Sequence, residues 1–119
     1  MGNSADYIAY LIDTLEPLGF IQSRAMFGGH GLYFDGRMFA LVADDTLYLK
    51  VDDQNRAAFE AEGLDPFRYP KKDGEQAVMA YYQAPSAALD DTDILLDWAR
   101  LGIEASMRAP AKKKKRKSP

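Results

Sequence analysis

The chain has no cysteine, one histidine and one tryptophan in 119 residues. Without a thiol there are no disulfides, zinc–thiolate centres or cysteine nucleophiles, and a reducing compartment suits the composition. His30 is the lone imidazole, so a histidine-based triad or a histidine-rich metal site has no second imidazole to draw on. No serine stands in a GxSxG setting. The acidic pairs Asp44-Asp45, Asp52-Asp53 and Asp90-Asp91 lack calcium-loop spacing and fall at expected turns and helix starts, where aspartate serves the backbone. No apolar run approaches the ~18 residues of a membrane span, and the opening MGNSADYIAY has neither the basic leader nor the apolar core of a signal peptide. The expectation from these residues is a protein without catalysis of its own, with no metal, no cofactor and no membrane partner, in a cytosol that the lack of cysteine permits.

Charge is present but segregated. The net value of −3 conceals a run, Lys112, Lys113, Lys114, Lys115, Arg116 and Lys117, that holds six of the fifteen basic residues. Residues 1–111 carry the other nine against eighteen acids, a balance of −9. Such a body repels polyanions while the tail attracts them, so the six tail residues are the candidate polyanion contacts. From Ala109 onward the sequence has no apolar side chain beyond alanine, and a disordered tail is expected over 109–119. The remainder, 4–108, is long enough for one core and reads as one domain.

The most specific local signal is RAMFGGHGLYFDGRMF, from Arg24 to Phe39. Asp35-Gly36 between two apolar runs predicts a two-residue hairpin, because both central positions need positive φ. Gly28, Gly29 and Gly31 predict a bulge or a close backbone approach. A phosphate-cradling loop would need a helix directly after the glycines. A strand pattern follows instead.

Periodicity predicts helix, strands, helix, strand, helix. The first helix begins at Ser4 as its cap and carries Ile8, Leu11, Ile12, Leu15 and Leu18 as its apolar stripe. Strands follow at 20–27, 30–34, 37–43 and 46–51, with a second tight turn at Asp44-Asp45. Asp52 and Asp53 then open a short helix that runs through Phe59 to Glu62 and ends at Gly63. The segment 64–75 reads as a surface loop, 77–82 as a strand, and the last helix starts among Asp90, Asp91 and Asp93 with Trp98 as its core anchor. Unbroken alternation along the hairpins puts Tyr33, Met38, Ala40, Val42, Leu47, Leu49 and Val51 on a core face. It puts His30, Leu32, Phe34, Arg37, Phe39, Leu41, Thr46, Tyr48 and Lys50 on the other. That second face is too apolar for open water. Leu32, Phe34, Phe39, Leu41 and Tyr48 are therefore a candidate partner face, covered by the helix at 95–105 or by another molecule. Phe67, Tyr69, Tyr81 and Tyr82 could stack on bases, but no motif such as GFGFV accompanies them, and strand or core duty is expected.

The segment RAMFGGHGLYFDGRMFALVADDTLYLKVD, then AAFEAEGLDPFRY, VMAYYQAP and DDTDILLDWARLGIEA, resembles the N-terminal domain of the TfoX/Sxy family of competence regulators. The likeness runs from Tyr7 to Ala105. It is carried most specifically by MFGG, GLY, DG and LYLK in that order, which places Met26, Phe27, Gly28, Gly29, Gly31, Asp35, Gly36 and Lys50 on the family motif as structural residues. The resemblance implies an α+β domain, an antiparallel sheet with hairpins and helices packed on it, and no enzyme. It implies a regulatory role in DNA uptake, through a protein partner of the transcription machinery and in concert with the catabolite activator protein. The family's second, helical C-terminal domain has no counterpart here, and the basic tail stands in its place. Two alternatives accompany this interaction module: weak non-specific nucleic-acid binding by the tail, and a small enzyme or ligand site near His30, Arg24 and the 28–31 bend. A homodimer is left open.

Overall fold

Ile8, Leu11 and Leu15 recur on one side of α1 (Ala5–Leu15) and are its buried residues. The computed structural model describes residues 5–26, 29–70 and 76–109. Ser4, the expected cap, lies outside them, as do Phe27, Gly28 and the tail from Pro110. Pro17 is accommodated in a 3-10 turn (Glu16–Leu18), and the chain then enters β1 (Ile21–Met26). β2 (Gly29–Phe34), β3 (Arg37–Ala43) and β4 (Thr46–Lys50) continue as an antiparallel meander. Both hairpin turns are two residues long with positive φ throughout: 54° at Asp35, 77° at Gly36, 51° at Asp44 and 55° at Asp45. Such turns match the twist of the flanking strands. A Cβ at Gly36 would meet nothing within 4 Å, so glycine there answers to the dihedral and not to space.

After β4, α2 (Arg56–Ala61) buries Phe59. The expected loop at 64–75 contains a strand: β5 (Pro66–Pro70) pairs antiparallel with β6 (Gln76–Gln83). Its prolines read as loop punctuation, yet an outer strand tolerates them because one row of N–H groups has no ladder to join. β6 also pairs with β4, which gives the sheet order β1-β2-β3-β4-β6-β5, antiparallel throughout. The crowded aspartates resolve into separate elements. Asp90 closes a short α3 (Ser86–Asp90), and Asp91 caps α4 (Thr92–Arg108) by accepting from the N–H groups of Asp93 at 2.9 Å and Ile94 at 3.2 Å.

The helices share one core with one face of the sheet: Leu11, Leu15, Phe59, Leu95 and Ala99 pack with Leu32, Phe39, Ala40, Val42 and Leu49. α4 lies so close to β3 that a Cβ on Gly102 would stand 2.9 Å from the Phe39 carbonyl oxygen. Phe59 is fully buried and meets the partly buried Trp98 edge-on, 4.9 Å between ring centres, so the two rings share the anchoring expected of Trp98 alone. The Arg37 guanidinium reaches the C-terminal end of α4 and donates to the carbonyls of Ser106 (3.1 Å) and Ala109 (2.9 Å).

One irregularity overturns the expected division of the sheet. Phe34 faces Arg37 and Tyr33 faces Met38 as the turn dictates, but Leu32 faces Ala40. Phe39 is the additional residue of a β-bulge on β3. Alternation restarts there, and a one-residue slip exchanges the faces of everything beyond it. Leu32, Phe34, Arg37 and Phe39 therefore join Ala40, Val42, Leu47 and Leu49 on the helix side. Tyr33 and Met38 move to the opposite side with Leu41, Thr46, Tyr48 and Lys50. The five residues expected as one partner face are split: Leu32 and Phe39 are core, Phe34 packs against the core, and Leu41 and Tyr48 lie across the sheet.

Candidate functional site

The helix-free face is built by alternate residues of five strands. β1 contributes Gln22, Arg24 and Met26; β2, Gly31 and Tyr33; β3, Met38 and Leu41; β4, Thr46, Tyr48 and Lys50; β6, Tyr81 and Gln83. Phe67 of β5 joins them, its ring edge-on to Tyr48 at 5.0 Å. Leu41 is 1% exposed on this face, where its cross-strand neighbours are Gly31 and Tyr48. Gly31 leaves the floor open for this packing: a Cβ there would stand 3.0 Å from both the Met26 methyl and the Met38 sulfur.

Tyr81 holds the centre. It is 6% exposed, its hydroxyl donates to the Met38 carbonyl at 3.3 Å, and burial, with Tyr33 adding to it, pushes its pKa up to about 12. Burial, with Asp44 and Asp65 adding to it, also raises the Tyr48 phenol. Two cations lie on aromatic faces, Arg24 over Tyr33 at 5.1 Å and Lys50 over Tyr81 at 5.3 Å. Among the described side chains that the register assigns to this face there is no carboxylate, on a body whose balance is −9. The arrangement offers a flat surface of tyrosine, methionine and arginine, and no nucleophile held by a base. Among the described residues no group of three or more His, Asp or Glu could hold a metal ion, and no helix is long and apolar enough to cross a membrane.

Several motif residues within the described chain take part in turns and strand contacts, while Phe27 and Gly28 lie outside it. Asp35 and Gly36 make the turn. Gly29 lets β2 approach β3, since a Cβ there would collide with the Val42 carbonyl oxygen. Lys50 supplies a backbone carbonyl that accepts from the Asn55 amide at 3.2 Å. The site imagined around His30 and Arg24 does not assemble: His30 pairs with Val42 on the helix side, whereas Arg24, opposite Gly31, is on the other face. Of the aromatics considered for base stacking, Tyr82 faces the helices against Phe59, and Tyr81 and Phe67 belong to the open face.

The motif TfoX N-terminal domain matches residues 13–106, spanning every described element from late α1 to α4. The chain belongs to the TfoX N-terminal domain family. Among curated relatives, it is 40% identical over 58 residues to the DNA transformation protein TfoX1 of Aliivibrio fischeri, a match over 49% of this chain and 28% of that protein. It is 26% identical over 96 residues to Protein Sxy of Escherichia coli K12, over 81% of this chain and 46% of that one. The chain thus spans less than half the length of either relative.

Sequence reasoning passed over Asn55, Arg108 and the open edge of β1. Asn55 is 5% exposed and joins three elements: its amide donates to Lys50 and Leu101 carbonyls, and its oxygen accepts from the Asp52 N–H at 2.8 Å. Its place just before α2 carried a capping signal, but its side chain does not cap the helix. Arg108 grips Asp52 with two hydrogen bonds of 2.7 and 2.8 Å. No local pattern announces a pair 56 residues apart.

Proposed function

We propose that this family member is a non-enzymatic regulatory module of DNA-uptake competence that acts in the cytoplasm by docking its helix-free sheet face onto a protein of the transcription machinery. The observation that carries this is the make-up of that face: Tyr33, Tyr48, Met38 and Arg24 around a buried Leu41 and Tyr81, with no described carboxylate among them. Tyrosine, methionine and arginine are enriched in the centres of protein interfaces, and acidic side chains are depleted there. The likeness to a DNA transformation protein supports the process. The aromatic make-up of the face supports a binding role over a catalytic one, since the register brings no acid–base pair together among its described residues.

The test is complementation of a bacterium whose own family member is deleted, read as transformation frequency and as transcription of its DNA-uptake genes. Tyr48→Asp and Arg24→Glu should abolish both while the purified variants keep the parent's circular dichroism. Arg100→Glu, at a solvent-exposed position of α4, is the control and should complement. Full activity of the two face variants would end the proposal. A second role draws on the sequence alone: the six residues Lys112–Lys117 supply weak, sequence-blind attraction to nucleic acid.

A further inference from the structure

β1 is an outer strand of the sheet, paired with β2 over six consecutive residues without a bulge. It contains no proline, and Arg24 is its single charge. The other outer strand is guarded, with proline at both ends and a break in register between Pro66 and Arg68. An unguarded edge is a template for one more strand. Directly before β1 stands Phe20, at 77% the most exposed large apolar side chain among the described residues.

The direction of the backbone groups follows from the hairpin. A two-residue turn makes Phe34 and Arg37 a hydrogen-bonded pair, and alternation then hands the peptide groups of Tyr33, Gly31 and Gly29 to β1. There they meet Gln22, Arg24 and Met26. Ile21, Ser23 and Ala25 consequently direct their N–H and C=O groups away from the sheet.

The residues around Ser23 read Phe-Ile-Gln-Ser-Arg-Ala-Met, apolar at both ends and polar on either side of the serine. We infer that β1 pairs antiparallel with β1 of a second copy of this chain, with the two-fold axis at Ser23. In that register Phe20 meets the second copy's Met26, Ile21 meets Ala25 and Gln22 meets Arg24. Every such pair occurs twice, and the outward peptide groups of Ile21, Ser23 and Ala25 find partners. Centring the axis on Arg24 instead would set two guanidiniums directly opposite each other and leave both Phe20 rings in water, which disfavours that register. A strand from another protein would engage the same peptide groups, but only a second copy pairs these side chains by its own symmetry. The union doubles the sheet along its edge; Arg24 belongs to both this seam and the proposed docking face, and a measurement of association state reads the seam without reference to docking.

Sedimentation velocity of the full chain over a range of concentrations tests it. Gln22→Glu places a carboxylate opposite Arg24 and should tighten the dimer about two- to fivefold, whereas Gln22→Lys should weaken it by a similar factor. Ser23→Pro removes the central N–H and should yield a monomer with the parent's circular dichroism. A parent that stays monomeric at about 1 mM would overturn the inference. So would Glu and Lys variants at position 22 that shift the equilibrium in the same direction or not at all, since that outcome means a different edge or a different register.

Discussion

Gly36 isolates a single energetic cause. Open space surrounds its missing Cβ, so a side chain there meets only the strain of a 77° φ. Gly36→Val is expected to cost more than about 1 kcal/mol in chemical denaturation. A Gly36→Asn variant, which tolerates the left-handed region, should lose less. Tyr81 gives a pH dependence of known sign. Its phenol ionises near 10 when unfolded and near about 12 when folded, so the folded state favours the protonated form. This contribution is complete below pH 10 and is lost as pH rises from 10 through 12. Alkaline titrations of stability should therefore fall less steeply in Tyr81→Phe than in the parent. Asn55 is a buried polar residue: replacing it with alanine strips partners from the Asp52 N–H and the Lys50 and Leu101 carbonyls and should destabilise by about 2–3 kcal/mol.

Between elements, the Arg108–Asp52 pair ties the end of α4 to the turn after β4. The Arg108 hydrogen bonds chiefly hold the Asp52 carboxyl down to about 2, from an ordinary 3.8. A depressed carboxylate stabilises above its unfolded pKa and ceases to do so as pH falls through the folded one. Both side chains are open to solvent, which screens the pair and keeps its contribution small. Arg108→Ala should thus be less stable than the parent at pH 7, with the difference shrinking as pH falls through 2. Elements whose period or turn chemistry is local were legible in the sequence: the stripe of α1, the Asp35-Gly36 and Asp44-Asp45 turns, and the aspartates opening α4. β5 was hidden because its prolines mark loops unless the strand is known to be outermost. The faces of β2 and β3 were misassigned because a bulge leaves no residue signature in Met38-Phe39-Ala40; it is imposed by Phe39 and Ala40 both finding room under the helices. The open face was consequently invisible, though most of its tyrosines were in plain view.

At the scale of the molecule, the helices cover one side of the sheet and the charge is divided between body and tail. Deleting residues 111–119 should abolish retention on an anionic matrix and leave the melting temperature unchanged, because that segment brings no apolar side chain to a core. With the tail present, the log–log dependence of duplex DNA affinity on salt should have a slope no steeper than about −5, the limit for six phosphate contacts. A steeper slope would mean that the body contributes contacts of its own. The hydrogen bonds from Arg37 to Ser106 and Ala109 set where that tail leaves the body. They act as a mooring: with Ala109 held at the β2–β3 hairpin, Lys117 can extend no farther than about 28 Å from that point. On the proposed docking, a second anchor point on a molecule bound to the sheet face would be met at the high local concentration a short leash creates, so that two weak grips would hold as one stronger one. Cutting the mooring with Arg37→Ala would lengthen the leash and dilute that advantage without touching a single contact residue.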